Sequence, residues 1–383
     1  MLMTVDYDFD RVISRRGSGS IKWDRFPNLD PFWVADMDFA SPPEVLEAVH
    51  QRAEHGVLGY AHPHDGLVNA LTTYMQKRHN LDVHESEIVH LGGLVSALSM
   101  VARAFGKRGE QIMTCTPIYP PFLGVQDDAG MQCISVPHIL EDGVWGFDWS
   151  AMEAAVTPQT KIFLLSNPQN PLGRVFTQVE ILKLAEFCER HDMILVSDEI
   201  HCDLVLDEVA TPHVCAAGLP EHLQNRIITL LAPSKTYNIA GMGYAFAVIR
   251  DDSIRRKFEA ARGHMLPEIN CIAFYTAEAA YRHGEPWRQA LVAYLRKNKD
   301  TLSAFVRDNM PDFKVPNIEA TYLAWIDCRS LDCNNPATYF EKEASIYLSD
   351  GSFFGAPDHV RFNYGCPHAR VLEGLEKIAR VLA

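Results

Sequence analysis

No CxxC pair occurs among the nine cysteines of this chain. Cys328 and Cys333 lie near each other, but no second pair matches them. The scatter speaks against a zinc ribbon or a disulfide framework and for free thiols in a reducing compartment. Positive charge is also scarce: 35 Lys and Arg stand against 49 Asp and Glu, a net charge of −14. That balance opposes non-specific binding to nucleic acid or to an anionic membrane, while leaving room for a local basic pocket. No apolar run approaches the length that spans a bilayer. The stretch Met1-Leu2-Met3-Thr4-Val5-Asp6-Tyr7-Asp8 has neither the basic nor the apolar region of an export signal. A cytoplasmic location is the expectation. Internal repeats and low-complexity segments are missing too, which speaks against a repeat architecture.

What is present is a globular composition, 47% hydrophobic over 383 residues, enough for a large domain and a smaller one. The middle of the chain alternates short apolar runs with amphipathic stretches. Strands are predicted at Gln111 to Cys115, Gln132 to Val136, Lys161 to Ser166, Met193 to Asp198, Arg226 to Leu231 and Tyr244 to Ile249. Several are apolar nearly throughout, as strands are when both faces of a sheet are covered. Between them lie helical patterns such as Thr177 to His191, which opens on Thr177 with Glu180 three residues later, a capping-box signature. This alternation predicts an α/β domain with a mixed, mostly parallel sheet. The C-terminal part reads as a smaller α+β domain. It has a long helix from Glu285 to Asn309, a strand at Thr321 to Asp327 and a helix at Pro336 to Ala344. A strand at Val360 to Tyr364 and a terminal helix from His368 follow. The expected division is an arm over 1–44 packing with the small domain, a large domain over 45–284, and the small domain over 285–383.

Ligands of open α/β sheets bind beyond the carboxyl ends of the strands. Asn170, Asp198 and Lys235 each end or follow a predicted strand, so they can converge from distant positions. Lysine is the amine that bonds an aldehyde cofactor. A carboxylate at Asp198 suits a protonated ring nitrogen, and the Asn170 amide suits a phenolic oxygen. Asp198 followed by Glu199 could equally cap a helix or bind metal, but no spaced histidines support a metal. Asn170 between prolines could be only a turn residue. Leu91-Gly92-Gly93-Leu94-Val95-Ser96 precedes an apolar helical stretch to Phe105, a place where backbone N–H groups and the helix dipole meet an anion. Ser234, next to the lysine, is another phosphate candidate. Tyr119 between Ile118 and Pro120 offers an aromatic platform. Arg361 offers a fork for a carboxylate. His201 reads as a core or supporting histidine.

Together these stretches resemble fold-type I pyridoxal-phosphate (PLP) enzymes of the aspartate aminotransferase superfamily, over nearly the whole chain. Asn167-Pro168-Gln169-Asn170-Pro171 is shared across that superfamily. Phe32-Trp33-Val34-Ala35-Asp36-Met37-Asp38-Phe39 and Ala232-Pro233-Ser234-Lys235-Thr236 resemble the PatB/MalY-type cystathionine β-lyases, a carbon–sulfur lyase branch. Pro117-Ile118-Tyr119-Pro120-Pro121-Phe122, Ser197-Asp198-Glu199-Ile200-His201 and Cys366-Pro367 extend the likeness.

The resemblance implies PLP carried on Lys235, with Asp198 at the pyridinium nitrogen and Asn170 at the phenolate. It implies Tyr119 stacked on the ring and His201, Gly93, Leu94 and Ser234 around the cofactor. Ala35, Asn170 and Arg361 are the implied substrate contacts. Tyr60 matches the tyrosine that reaches the phosphate from the neighbouring subunit, which implies a homodimer with shared active sites. Gly243 stands where many superfamily members have a phosphate-binding arginine, and Ala232 where many have a serine. The implied activity is β-elimination from L-cystathionine and related S-substituted L-cysteines to a thiol, pyruvate and ammonia. Lys235 would act as base, and Lys235 or Tyr119 as acid to the sulfur. An aminotransferase on the same scaffold, or a lyase with an added regulatory binding role, are the alternatives.

Overall fold

A computed structural model describes residues 7–264 and 266–382; the Met1–Asp6 part of the N-terminal reading lies outside the described residues. Seven strands form the central sheet: β1 (Ile88–Leu91), β2 (Gln111–Thr116), β3 (Gln132–Pro137), β4 (Thr160–Ser166), β5 (Ile194–Asp198), β6 (Ile227–Leu231) and β7 (Ala245–Val248). Their order is β1-β7-β6-β5-β4-β2-β3. All neighbours run parallel except β7, which is antiparallel to both β1 and β6. Strands β6 and β7 are buried at every residue because helices cover both faces. One face packs on the Leu94–Phe105 helix through Leu98, Val101 and Ile228, the other on the Gln178–Arg190 helix through Ile181, Leu184 and Leu195. The second of these helices starts as its sequence requires. Thr177 Oγ1 accepts from the Glu180 N–H, and Glu180 returns the bond to the Thr177 N–H.

The C-terminal region builds a three-stranded antiparallel sheet in which His359–Asn363 lies between Leu323–Asp327 and Ser349–Asp350. Its first strand starts two residues later than the apolar run suggests. Thr321 has φ of 76°, and its hydroxyl accepts from the Leu323 N–H, so the chain turns there before it extends. The helices Glu285–Asn309, Pro336–Ala344 and His368–Arg380 lie where the sequence predicts them. All nine cysteines are free. Among the described residues no helix is long and apolar enough to cross a membrane.

The N-terminal arm is bound to the C-terminal sheet. Asp30–Pro31 pairs in parallel with Ile346–Tyr347, and Phe32 stacks on Phe362 with ring centroids 4.5 Å apart. Four charges cluster in this arm, Arg15 and Lys22 against Asp36 and Asp38. The Asp38 carboxylate accepts from Lys22 Nζ at 2.9 Å, Trp23 Nε1 at 2.8 Å and Arg15 Nη1 at 2.7 Å, and both Asp38 and Lys22 are buried. Burial raises the Asp38 pKa, but Lys22 and Trp23 outweigh it and hold the carboxyl below its usual range. Removing one partner of a buried pair leaves an uncompensated charge. Asp38→Ala is therefore expected to destabilise the chain by about 3 kcal/mol, read as a lower urea midpoint. A midpoint equal to that of the parent would show the cluster to be inert.

Candidate active site

The parallel strands end on one edge, and the chain places its polar groups there. Asp198 is the last residue of β5 and pairs in register with Ser166, the last of β4. Asn170 follows β4 and Lys235 follows β6. On the far side, Gly92 and Gly93 join β1 to the Leu94–Phe105 helix. These elements surround a cavity of about 400 Å3. Nine residues singled out from sequence line it: Ala35, Gly93, Leu94, Tyr119, Asn170, Asp198, His201, Ser234 and Lys235. Arg361 is buried beside them and donates to Asn170 Oδ1 at 2.9 Å and to the Trp33 carbonyl at 2.7 Å. Tyr60 is not among them. It is 99% exposed on a separate groove with Leu58, Pro267 and Ile272.

Sequence reasoning passed over Ser166 and Tyr244 at the cavity wall, and Tyr322, whose hydroxyl donates to the Ala35 carbonyl. Tyr322 and Asn363 lie inside stretches rich in apolar residues, and only their bonds to the arm distinguish them from core.

The electrostatics are those of a site with reactive ionisations. Burial and the Arg361 guanidinium pull the Lys235 ammonium down to about 8, against Asp36 and Asp198, which favour its charge. Burial pushes the Asp198 carboxyl up to about 7; the Ile200 N–H, which donates to Oδ1 at 3.1 Å, opposes the shift, and Glu199 adds to it. Burial, helped by Lys235 and Arg361, lowers His201 to about 3, so its ring is neutral. Its Nδ1 is buried with no partner. Burial lowers Arg361 to about 10, and burial raises the Tyr119 phenol. An amine near 8 and a carboxyl near 7 on one cavity are the kind of perturbed pair that clusters at functional sites. At the other end, a Cβ built on Gly92 or Gly93 would meet no atom within 4 Å. The space in front of the helix N-terminus is thus open for an anion.

The comparisons agree with this geometry. The sequence matches the family described as aminotransferase class I and II over residues 32–378. It is 34% identical to cystathionine β-lyase PatB of Bacillus subtilis (strain 168), over 98% of this chain and all of that protein. The solved structure of OvoB superimposes with a TM-score of 0.95 at 37% identity, covering 98% of this chain and 99% of that one. Cystalysin from Treponema denticola, which contains a pyridoxal 5'-phosphate cofactor, superimposes with a TM-score of 0.94 at 31% identity and 99% coverage of both chains. With its perturbed lysine and carboxyl at the carboxyl edge of a fold-type I sheet, the chain belongs to the class I and II aminotransferase family, in the PatB/MalY-type cystathionine β-lyase branch.

Proposed function

We propose that this protein is a PLP-dependent carbon–sulfur β-lyase that cleaves L-cystathionine and related S-substituted L-cysteines to a thiol, pyruvate and ammonia. The observation that carries the reading is that Lys235 and Asp198 line one cavity, where the buried Asp198 carboxyl accepts from the Ile200 N–H. The residues fit PLP. Asp198 offers a negative charge to a protonated ring nitrogen, and the unpartnered His201 Nδ1 and the Asn170 amide are groups for a phenolic oxygen. The Tyr119 ring offers a stacking face. The Gly93 and Leu94 N–H groups and the Ser234 hydroxyl suit the phosphate, in a pocket that has Gly243 rather than an arginine. When bound, the cofactor supplies an electron sink for charge at the substrate α-carbon.

The remaining chemistry belongs to the chain. Arg361, already held by Asn170 and Trp33, grips the substrate carboxylate through its planar fork, and the Ala35 backbone borders the same position. Lys235, with a pKa near 8, is about one tenth neutral at pH 7, far more than an ordinary lysine, and removes the α-proton. Loss of that proton drives the β-carbon–sulfur bond to break and the thiolate leaves; the released three-carbon enamine then takes up one water to give pyruvate and ammonia. Tyr119, kept protonated by burial, is a proton donor beside the same cavity. The exposed Tyr60 suits a second copy of the chain, in which the partner subunit's Tyr60 reaches the phosphate of a shared active site. On this reading residues 1–44 form an arm serving the small domain over 285–383, and residues 45–284 carry the cofactor.

The test is product analysis of the PLP-loaded protein with L-cystathionine. Pyruvate and free thiol in equal amounts are expected. Accumulation of pyridoxamine phosphate without thiol would replace this reading with an aminotransferase.

A further inference from the structure

The segment from Trp33 to Phe39 borders the cavity at Ala35, and its backbone carbonyls are fastened on both sides of that residue. The Trp33 carbonyl accepts from Arg361 and from the Ser349 hydroxyl. The Val34 and Asp36 carbonyls both accept from Asn363 Nδ2, at 2.6 and 2.7 Å. The Met37 and Phe39 carbonyls both accept from Asn238 Nδ2, at 2.9 and 2.8 Å. Between these pairs, the Ala35 carbonyl accepts two donors at once, Lys235 Nζ at 2.7 Å and the Tyr322 hydroxyl at 2.9 Å.

We propose that the Ala35 carbonyl is the dock of the Lys235 nitrogen whenever that nitrogen is free of other bonds, and that Tyr322 and Asn363 are the positioning residues that hold the dock. The proposal rests on the reading of Lys235 as the base and adds where that base waits and where its proton is stabilised. Once Lys235 has taken the α-proton it is an ammonium at a part-buried position on the cavity wall. Such a charge is expensive unless it is hydrogen-bonded. A carbonyl oxygen has two acceptor sites, so it serves the lysine and the phenol together. Tyr322 is fully buried and burial raises its pKa, so its hydroxyl remains a donor throughout the working range. Asn363, also fully buried, is fixed in turn, since its Oδ1 accepts from the Gly365 N–H at 2.8 Å. With its two neighbours clamped by one amide, the Ala35 carbonyl cannot swing away without breaking several bonds.

The charged and titratable groups facing Lys235 come from four elements: Asp36 on the arm, Asp198 at the end of β5, His201 beyond it, and Arg361 on the C-terminal sheet. The dock differs from all of them in having no proton to gain or lose. It favours the ammonium without drawing a second proton into the site.

The sequence contains a single Ala–Asp step, Ala35–Asp36. Labelling the full chain with carbonyl-13C alanine and 15N aspartate therefore isolates this one peptide for NMR. In the cofactor-free protein the Ala35 carbonyl shift is expected to titrate with pH in step with Lys235, and the response is expected to vanish in Lys235→Met. Tyr322→Phe is expected to lower that midpoint by about one pH unit, a tenfold change in the equilibrium. In the PLP-loaded enzyme it is expected to lower kcat about tenfold with KM within twofold, the pattern of a group that acts on the chemical step. A carbonyl shift that is flat with pH, or that still titrates in Lys235→Met, overturns the dock. So does an unchanged midpoint in a folded Tyr322→Phe, whatever its melting temperature. Should Tyr322→Phe not fold, the comparison of the parent with Lys235→Met still decides. A titrating carbonyl in a protein that makes no pyruvate from cystathionine would keep the dock and refute the lyase reading.

Discussion

Lys235→Ala is expected to cut pyruvate release from L-cystathionine by about 10²–10⁴-fold from the loss of the general base alone. The effect is large because, among the described residues, Lys235 is the one lysine that lines the cavity. His201 is neutral and stays so down to about pH 3, and Arg361 is committed to Asn170 and Trp33. Neither can take the α-proton from where it sits. The folded state is expected to survive, since the lysine's one hydrogen bond, to Ala35, leaves that carbonyl with the Tyr322 hydroxyl. A small exogenous amine is expected to restore part of the rate, because truncation opens room at the position of Nζ. Coupled lactate-dehydrogenase assays and thermal melts of parent and variant separate a lost base from a lost fold. Full turnover in a well-folded variant would remove Lys235 from the mechanism.

The second large effect is on stability and depends on pH. The Asp198 carboxyl lies at about 7 in the folded chain, and burial is the first cause. In the unfolded chain it titrates near its ordinary value of about 4. Between those values the folded cofactor-free protein holds a proton that the unfolded chain has released, so raising the pH favours unfolding. The stabilisation is complete below pH 4 and is lost as pH rises through 7, a difference of about 4 kcal/mol for three pKa units. Asp198→Asn removes this slope. His79, His90, His138 and His201 are all lowered by burial and contribute in the opposite sense, stability rising with pH through the acid range. The difference between parent and variant therefore isolates Asp198. Urea titrations at pH 4.5 and 7.5 measure it. Loading with PLP is expected to flatten the parent's slope by giving the carboxylate a cation. Parallel pH dependences in the parent and Asp198→Asn would show that the carboxyl is not held protonated.

How much of this could be read beforehand follows from which interactions are local. Strands β2 to β7 are legible because apolar runs flanked by turn residues suit a sheet covered on both faces. The Gln178–Arg190 helix is legible because its capping box lies within three residues of sequence. The cavity residues Asn170, Asp198 and Lys235 are legible because strand ends converge in an open sheet. Strand β1 is not, being four residues long with His90 in its middle. The reversed direction of β7 is not legible either, since strand orientation is set by the crossover and not by composition. Tyr322 and Asn363 stay hidden for the same reason. Their partners are carbonyls nearly 300 residues or more upstream, and no local pattern encodes such a bond.

The strap from Trp33 to Phe39 is gripped through main-chain oxygens at Trp33, Val34, Ala35, Asp36, Met37 and Phe39, and through the Asp36 and Asp38 carboxylates. Where only the oxygen is held, as at Val34, the side chain is consequently freer to drift than the strap's length. One inserted residue would slide each oxygen past its donor and carry the Asp36 and Asp38 carboxylates off Arg15 and Lys22, so the number of residues here is fixed twice over.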